Sequence, residues 1–196
     1  RPDVLVLSST GEIPLKWESV LSGKCGKLAL MDLKHKALVS SYGLPDWITP
    51  DRAASIIASR FLFKGKPVTI FDFGKILTVD FLDEDGVYSG VLVSPGFRTR
   101  FKSVNRYSRS LPLLETPAEI PSEGSDLNSS IERGVVSGIM FEIQGHLASR
   151  PGNTVVFTGG DANYFAKQVK NSIFVVCNLV LMGLALIAEK IYESNL

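Results

Sequence analysis

Three short stretches of this chain place a carboxylate or paired glycines where phosphate chemistry could happen. Asp72-Phe73-Gly74 ends the apolar run Val68–Asp72 and precedes Lys75–Leu82, which is rich in β-branched and aromatic residues. Asp83–Gly86 carries hairpin turn chemistry and Val87–Ser94 returns, so Val68–Gly96 reads as three consecutive antiparallel strands. A tight glycine turn between strands exposes backbone N–H groups that can cradle a phosphate. Asp72 beside it can hold a cation that bridges phosphate oxygens. Asp51 opens a helix, where the dipole and free N–H groups keep a carboxylate ionised. Thr158-Gly159-Gly160-Asp161 turns a strand into a helix. The chemistry these features suggest first is nucleotide-dependent phosphoryl transfer. Each also has a plainer reading: a β-meander with an acidic turn, a supported helix start with Arg52 as surface charge, and a glycine turn common in α/β proteins. Arg98, Arg100, Lys102, Arg106 and Arg109 either attract an anionic ligand or form a solvated helix face, and their spacing favours the second.

The elements that must position these residues follow from periodicity and punctuation. Val4–Leu7, Lys27–Met31 and Ala37–Ser40 read as strands, and Leu15–Leu21 as a helix. Gly43–Pro50 is a loop. Thr49 can cap the next helix, Pro50 suits its first position, and Ala53, Ile56, Ile57 and Phe61 give its apolar face. Gly96–Ser110 reads as a basic helix and Leu113–Asp126 as an exposed loop. Asn128–Leu147 is the longest helix, with Gly138 and Gly145 in a stripe suited to close helix packing. Thr154–Phe157 is a strand, followed by a helix through Val169, a buried strand at Ile173–Val176 and a terminal helix at Leu179–Tyr192. Strands first, then strands alternating with helices, indicate an α/β or α+β domain.

At 196 residues the chain can bury one substantial core or two small ones. A formal charge of +1 argues against nucleic acid as the main partner. Cys25 and Cys177 lie far apart, without metal-ligand spacing, which fits a reducing, cytoplasmic setting. Ile173–Ala188 is apolar but shorter than a membrane span and is interrupted by Asn178, so a core segment is expected there and no membrane partner.

The blocks together carry a resemblance that covers most of the chain. They are Ser8-Ser9 after a strand, Asp51-Arg52 opening a helix, Asp72-Phe73-Gly74 with Thr78, Ser94-Pro95-Gly96, Leu111-Pro112, Thr158-Gly159-Gly160-Asp161-Ala162, and Asn178-Leu179 with Gly183-Leu184. In this order the chain resembles type III pantothenate kinase in its Bacteroidetes-like form, within the actin and sugar-kinase superfamily. The resemblance implies an α/β fold of two ribonuclease-H-like halves facing each other across a nucleotide cleft, residues 1–66 being the remainder of the first and 67–196 the second. It implies a homodimer that uses ATP, Mg²⁺ and a monovalent cation (K⁺ or NH₄⁺) to phosphorylate pantothenate to 4'-phosphopantothenate, the first step of coenzyme A biosynthesis. By resemblance Asp51 is the catalytic base, and Thr49, Pro50, Arg52 and Leu127 lie at pantothenate. Gly74, Lys75, Gly159 and Gly160 lie at the ATP phosphates, and Asp72 is at the metal.

Four departures from the family pattern accompany this. The first phosphate loop, D-x-G-N-T, is not in the sequence, so the first half is expected to be incomplete at its N-terminus. Lys75 stands where the family has Thr after D-x-G. The family's G-x-D-R is Thr49-Pro50-Asp51-Arg52 here, which stiffens the backbone. Alignment on Gly134 puts Leu127 where the family has a pantothenate-binding Thr. The alternative is therefore a non-catalytic paralogue acting as a nucleotide-binding or partner subunit; a third reading is another small-molecule kinase of the superfamily. Lys75 also offers an ammonium that could take the place of the monovalent cation beside Asp72, or pair with a phosphate.

Overall fold

A computed structural model describes residues 1–120 and 124–194. In chain order the elements are β1 (Val4–Ser8), α1 (Leu15–Ser22), β2 (Lys27–Met31), α2 (Ala37–Ser40), α3 (Pro50–Leu62), β3 (Val68–Phe73), β4 (Ile76–Leu82), β5 (Tyr88–Pro95), α4 (Phe97–Tyr107), α5 (Leu127–Ser149), β6 (Thr154–Thr158), α6 (Ala162–Ala166), β7 (Phe174–Val175) and α7 (Leu179–Glu193). They form two compact units, Arg1–Lys64 with Asn178 onward, and Gly65–Cys177. The expected division at residue 66 placed the terminal helix in the second half, whereas its contacts put α7 with α3 and β1 in the first unit.

In the first unit β1 and β2 pair in parallel, from Val4 opposite Lys27 to Ser8 opposite Met31. The run Ala37–Ser40, expected as a strand, is the short helix α2. Its hydrogen bonds are local, Ser40 N–H to the Lys36 carbonyl and Ser41 N–H to Ala37, and Val39 is its one buried residue. The turn before it is built on Asp32. This buried carboxylate accepts from the N–H groups of Ile13 (2.7 Å), Lys34 (2.9 Å) and His35 (2.8 Å), and its Oδ1 lies 2.8 Å from His35 Nδ1. Burial pushes its pKa up, but the bonds from Ile13, His35 and Lys34 outweigh this and hold it well below the ordinary carboxylate range. Helix α3 buries Ala53, Ala54, Ile56 and Ile57. Gly183 of α7 sits so close to α3 that a Cβ there would run into the backbone of Ala54.

The second unit is a five-stranded sheet in the order β5-β4-β3-β6-β7. The three strands β3, β4 and β5 form the expected antiparallel meander, while β6 runs parallel to β3 and β7 parallel to β6. Strand alternation separates its faces. Phe71 and Phe73 of β3, Leu77, Val79 and Phe81 of β4, and Val155 and Phe157 of β6 turn to the core. There they meet Phe97 and Phe101 of α4, Val135, Val136, Ile139 and Ile143 of α5, and Phe165 of α6. Helix α5 starts in a capping box, with the Ser129 N–H donating to the Asp126 carboxylate and the Ser129 hydroxyl accepting from the Asp126 N–H.

Several expectations are corrected here. Helix α6 stops at Ala166 rather than Val169, and Val169 packs against the core from an irregular segment. Strand β7 is short and exposed, not buried, since it is the sheet's outer strand. The glycines of α5 bring no helix backbone close: a Cβ on Gly134 or Gly145 would meet nothing within 4 Å, and one on Gly138 only the side chain of Arg100 from α4, Nη1 at 3.6 Å. Thr49 is the cap residue of α3, but its side chain makes no capping bond; its carbonyl accepts from Ala53 N–H instead. The expected exposed loop at Leu113–Asp126 is irregular, yet Leu114 and Ile120 pack on the core; residues 121–123 lie outside the described residues. No described helix is long and apolar enough to cross a membrane.

Candidate functional site

The site in the second unit is built on the turn between β3 and β4. Phe73 anchors it by ring packing, stacked on Phe165 at 5.1 Å and edge-on to Phe157 at 4.8 Å. The turn closes with Gly74 N–H donating to the Ile76 carbonyl at 3.2 Å. The next carbonyl, Lys75, accepts twice from the start of α4, from Gly96 N–H at 3.0 Å and from the Thr99 hydroxyl at 2.6 Å. On the far side, Asp161 N–H donates to the Phe73 carbonyl at 3.3 Å. The turn is thus tied to the beginnings of two helices.

Gly159 is glycine for reasons internal to the fold. Its φ is +89°, and a Cβ there would lie 2.5 Å from Asp72 Oδ1 and 2.7 Å from the Phe73 backbone. Gly74 and Gly160 are different. A Cβ on Gly74 would find the Ile76 carbonyl oxygen at 3.4 Å, an ordinary contact, and one on Gly160 would meet nothing within 4 Å. Both line a pocket of about 210 Å³ with Phe73, Lys75, Arg98 and Asp161. Arg98 Nη2 is 3.9 Å from Asp161 Oδ1. Burial pushes the Asp161 pKa up, and the Arg98 guanidinium opposes that rise.

Asp72 is next to this pocket, on the sheet face opposite the phenylalanine core. Its register partners are Thr78 on β4 and Thr158 on β6, so three polar side chains form a row across the central strands. Among the described residues no hydrogen-bond partner reaches the buried Thr78 hydroxyl. Behind the pocket, Arg100 holds α4 in place. It donates to the Pro95 carbonyl at 2.8 Å and to the Ser94 hydroxyl at 3.2 Å, and it pairs with Glu142 of α5, which also accepts from Ser94 at 2.6 Å.

In the first unit, Thr49, Pro50, Asp51 and Arg52 come together at the start of α3. Asp51 Oδ1 is buried and, among the described residues, no hydrogen-bond partner reaches it. Arg52 is buried rather than surface charge, and its guanidinium lies 5.6 Å from the centroid of the Trp47 ring.

The structure therefore gathers the expected phosphate residues Gly74, Lys75 and Gly160 around one pocket, with Gly159 and Asp72 beside it. Leu127 is exposed at the first turn of α5 and does not line that pocket. Arg98 and Asp161 do line it, although spacing alone favoured a solvated face for Arg98. The available signal was its place two residues after Gly96, where the chain must pass over the turn. No group of three or more His, Cys, Asp or Glu side chains suited to a metal occurs among the described residues. Mg²⁺ does not need one, because it is commonly held by one or two carboxylates together with substrate phosphates. Asp72, beside a pocket with room for a phosphate, fits that use.

A sequence profile of type III pantothenate kinase matches residues 27–149, more than half of the chain. The type III pantothenate kinase of Christiangramia forsetii is 36% identical over 189 residues, covering 94% of this chain and 77% of that protein. Among solved structures, a protein from Campylobacter jejuni described as a Baf family transcriptional activator matches with a TM-score of 0.60 at 19% identity, over 85% of this chain and 74% of that one. A protein from Sinorhizobium meliloti described as a 2-dehydro-3-deoxygalactonokinase matches with a TM-score of 0.57 at 14% identity, over 72% and 60%. These likenesses show a mixed α/β fold shared with those two structures. With the profile covering the meander, the β3–β4 turn and the start of α3, and with a relative matched over 94% of this chain, the chain belongs to the type III pantothenate kinase family.

Proposed function

We propose that this chain transfers the γ-phosphoryl group of ATP to the hydroxyl of pantothenate, giving 4'-phosphopantothenate and opening coenzyme A biosynthesis in the cytoplasm. Family membership supports the reaction. The observation that carries its location is the pocket of about 210 Å³ at the β3–β4 turn, lined by Gly74, Lys75 and Gly160. In this reading the two units are ribonuclease-H-like halves. The sheet order supports this for the second, which counted within the unit runs 3-2-1-4-5 with the second strand antiparallel to the rest.

Phosphoryl transfer asks the protein for position and charge neutralisation more than for covalent chemistry. Gly74 and Gly160 leave room for the phosphates, and Lys75 brings a positive charge. Mg²⁺, when bound with the nucleotide, neutralises charge on its phosphates, and Asp72 is the residue that would hold it; K⁺ or NH₄⁺ would serve the same neighbourhood. Asp51 accepts the proton of the attacking hydroxyl. Its buried Oδ1 at a helix start supports this role, because among the described residues no hydrogen bond competes with an incoming hydroxyl for that oxygen. Thr49, Pro50 and Arg52 surround it, and the buried Arg52 guanidinium suits the carboxylate of pantothenate. Leu127 would contribute only apolar contact. A homodimer is part of the proposal, with the exposed face of α5 bearing Phe141 and Gly145 as support.

A coupled assay with ATP and pantothenate tests this reading. Turnover that falls by about 10²–10⁴-fold in Asp51→Asn, with nucleotide binding kept, is expected. Nucleotide binding without turnover in the unaltered chain would overturn it in favour of the non-catalytic paralogue.

A further inference from the structure

Arg98 occupies a place that local helix energetics disfavour. It is the second residue of α4, whose first turn contains no acidic residue. A cation at a helix N-terminus opposes the macrodipole. Such a local conflict marks a position where something other than stability selects the residue. Asp161, which lines the same pocket as Arg98, lies 3.9 Å from it, with a side chain only 17% exposed while that of Arg98 is 74% exposed. Lys75 lines the same pocket. Arg98 also borders a second cavity of about 330 Å³, lined by Phe101, Lys102 and Leu113–Thr116, so open space lies on both sides of its stem.

The backbone beneath Arg98 is held closely. Its neighbours Gly96 and Thr99 both donate to the Lys75 carbonyl, and Arg100 is tied to Ser94, Pro95 and Glu142. The two cations are therefore delivered to one pocket by segments hydrogen-bonded to each other. The Arg98 side chain above this fixed base is largely exposed.

We propose that Arg98 is a phosphate-contacting residue of this site, forming with Lys75 a two-cation seat for the nucleotide's phosphates, and that Asp161 holds its guanidinium over the pocket until the phosphates replace that carboxylate as its partner. The proposal rests on the nucleotide reading of the pocket and adds a residue that family resemblance does not supply. A guanidinium binds phosphate oxygens through two parallel N–H bonds, whereas Lys75 acts as a point charge. Asp161 supplies a weaker partner at 3.9 Å, beyond hydrogen-bond distance, which a phosphate can displace.

The test is binding of ATP, adenosine and inorganic tripolyphosphate to the full chain, measured by calorimetry. Arg98→Ala is expected to weaken ATP and tripolyphosphate by about tenfold or more, and adenosine by less than about twofold. Arg98→Lys is expected to recover part of the loss. Asp161→Asn is expected to tighten tripolyphosphate binding without divalent metal, since it removes the competing carboxylate. Unchanged tripolyphosphate binding in Arg98→Ala, or an equal loss for adenosine, would overturn the proposal. Arg98-dependent tripolyphosphate binding in a chain that never phosphorylates pantothenate would leave it standing and remove the proposed reaction. Turnover insensitive to Arg98→Ala would do the reverse.

Discussion

The carbonyl oxygen of Lys75 accepts the N–H of Gly96 at 3.0 Å, and Gly96 lies so close that a Cβ there would penetrate the backbone of Gly74 and Lys75. The last residue before α4 thus sets the position of the turn expected to receive phosphate. Gly96→Ala must move that turn or break its hydrogen bond, an overpacking cost of about 1–3 kcal/mol. The expected result is a KM for ATP raised by about tenfold or more, with KM for pantothenate much less affected, measured by steady-state kinetics beside a melting curve. Unchanged ATP kinetics would show that the turn does not receive the nucleotide.

Lys75 places an ammonium on the turn itself. If it replaces a monovalent cation, nucleotide binding by the unaltered chain will be the same in potassium and in sodium buffers. Lys75→Thr, which removes the charge and supplies a hydroxyl, is expected to weaken binding and make it depend on potassium. Calorimetry in matched salts checks this, and potassium dependence already present in the unaltered chain rejects it.

Asp32 ties three backbone N–H groups and a histidine ring into the first unit. Its pKa is lowered from 3.8 in the folded state, so its contribution is present in full above that value and is lost as the pH falls below it. Asp32→Ala is expected to lower the melting temperature at pH 7 by about 5–10 °C, because several donors lose a buried charged acceptor. The difference between the two proteins should shrink as the pH is lowered from 5 towards about 2. A constant difference across that range would assign the effect to packing.

Helices α3 and α7 approach through Gly183, where a side chain would meet the Ala54 backbone. Gly183→Ala is expected to destabilise the first unit by about 1–3 kcal/mol, despite its better helix propensity. Denaturant unfolding followed through Trp17 and Trp47 reads this change. A stabilised variant would mean that the helices separate easily.

Much of the architecture could be read directly from the residues. The apolar run at Val68–Asp72, the β-branched and aromatic residues of Lys75–Leu82 and the Asp-Gly turn after them specified the meander, and Thr49-Pro50-Asp51 marked where α3 begins, because these signals act between near neighbours. Ala37–Ser40 misled because its run is too short to show a period, and the bonds around Asp32 set a helical turn instead. The close-packing reading of the α5 glycines failed for a related reason: a stripe of small residues leaves room for a helix backbone, but at Gly138 α4 brings only the Arg100 side chain.

Residue types and order determined the family, the meander and the candidate carboxylates Asp51 and Asp72, since each depends on local patterns and their succession. Only tertiary structure decided which of five similar cations enters the pocket at the β3–β4 turn, and that Gly159 is required by Asp72 and Phe73 while Gly74 and Gly160 are left open to that pocket. Those relations join residues separated by twenty to ninety positions in the chain. They depend on which strand pairs with which and on where a helix starts above the sheet, and no short-range pattern records such distances.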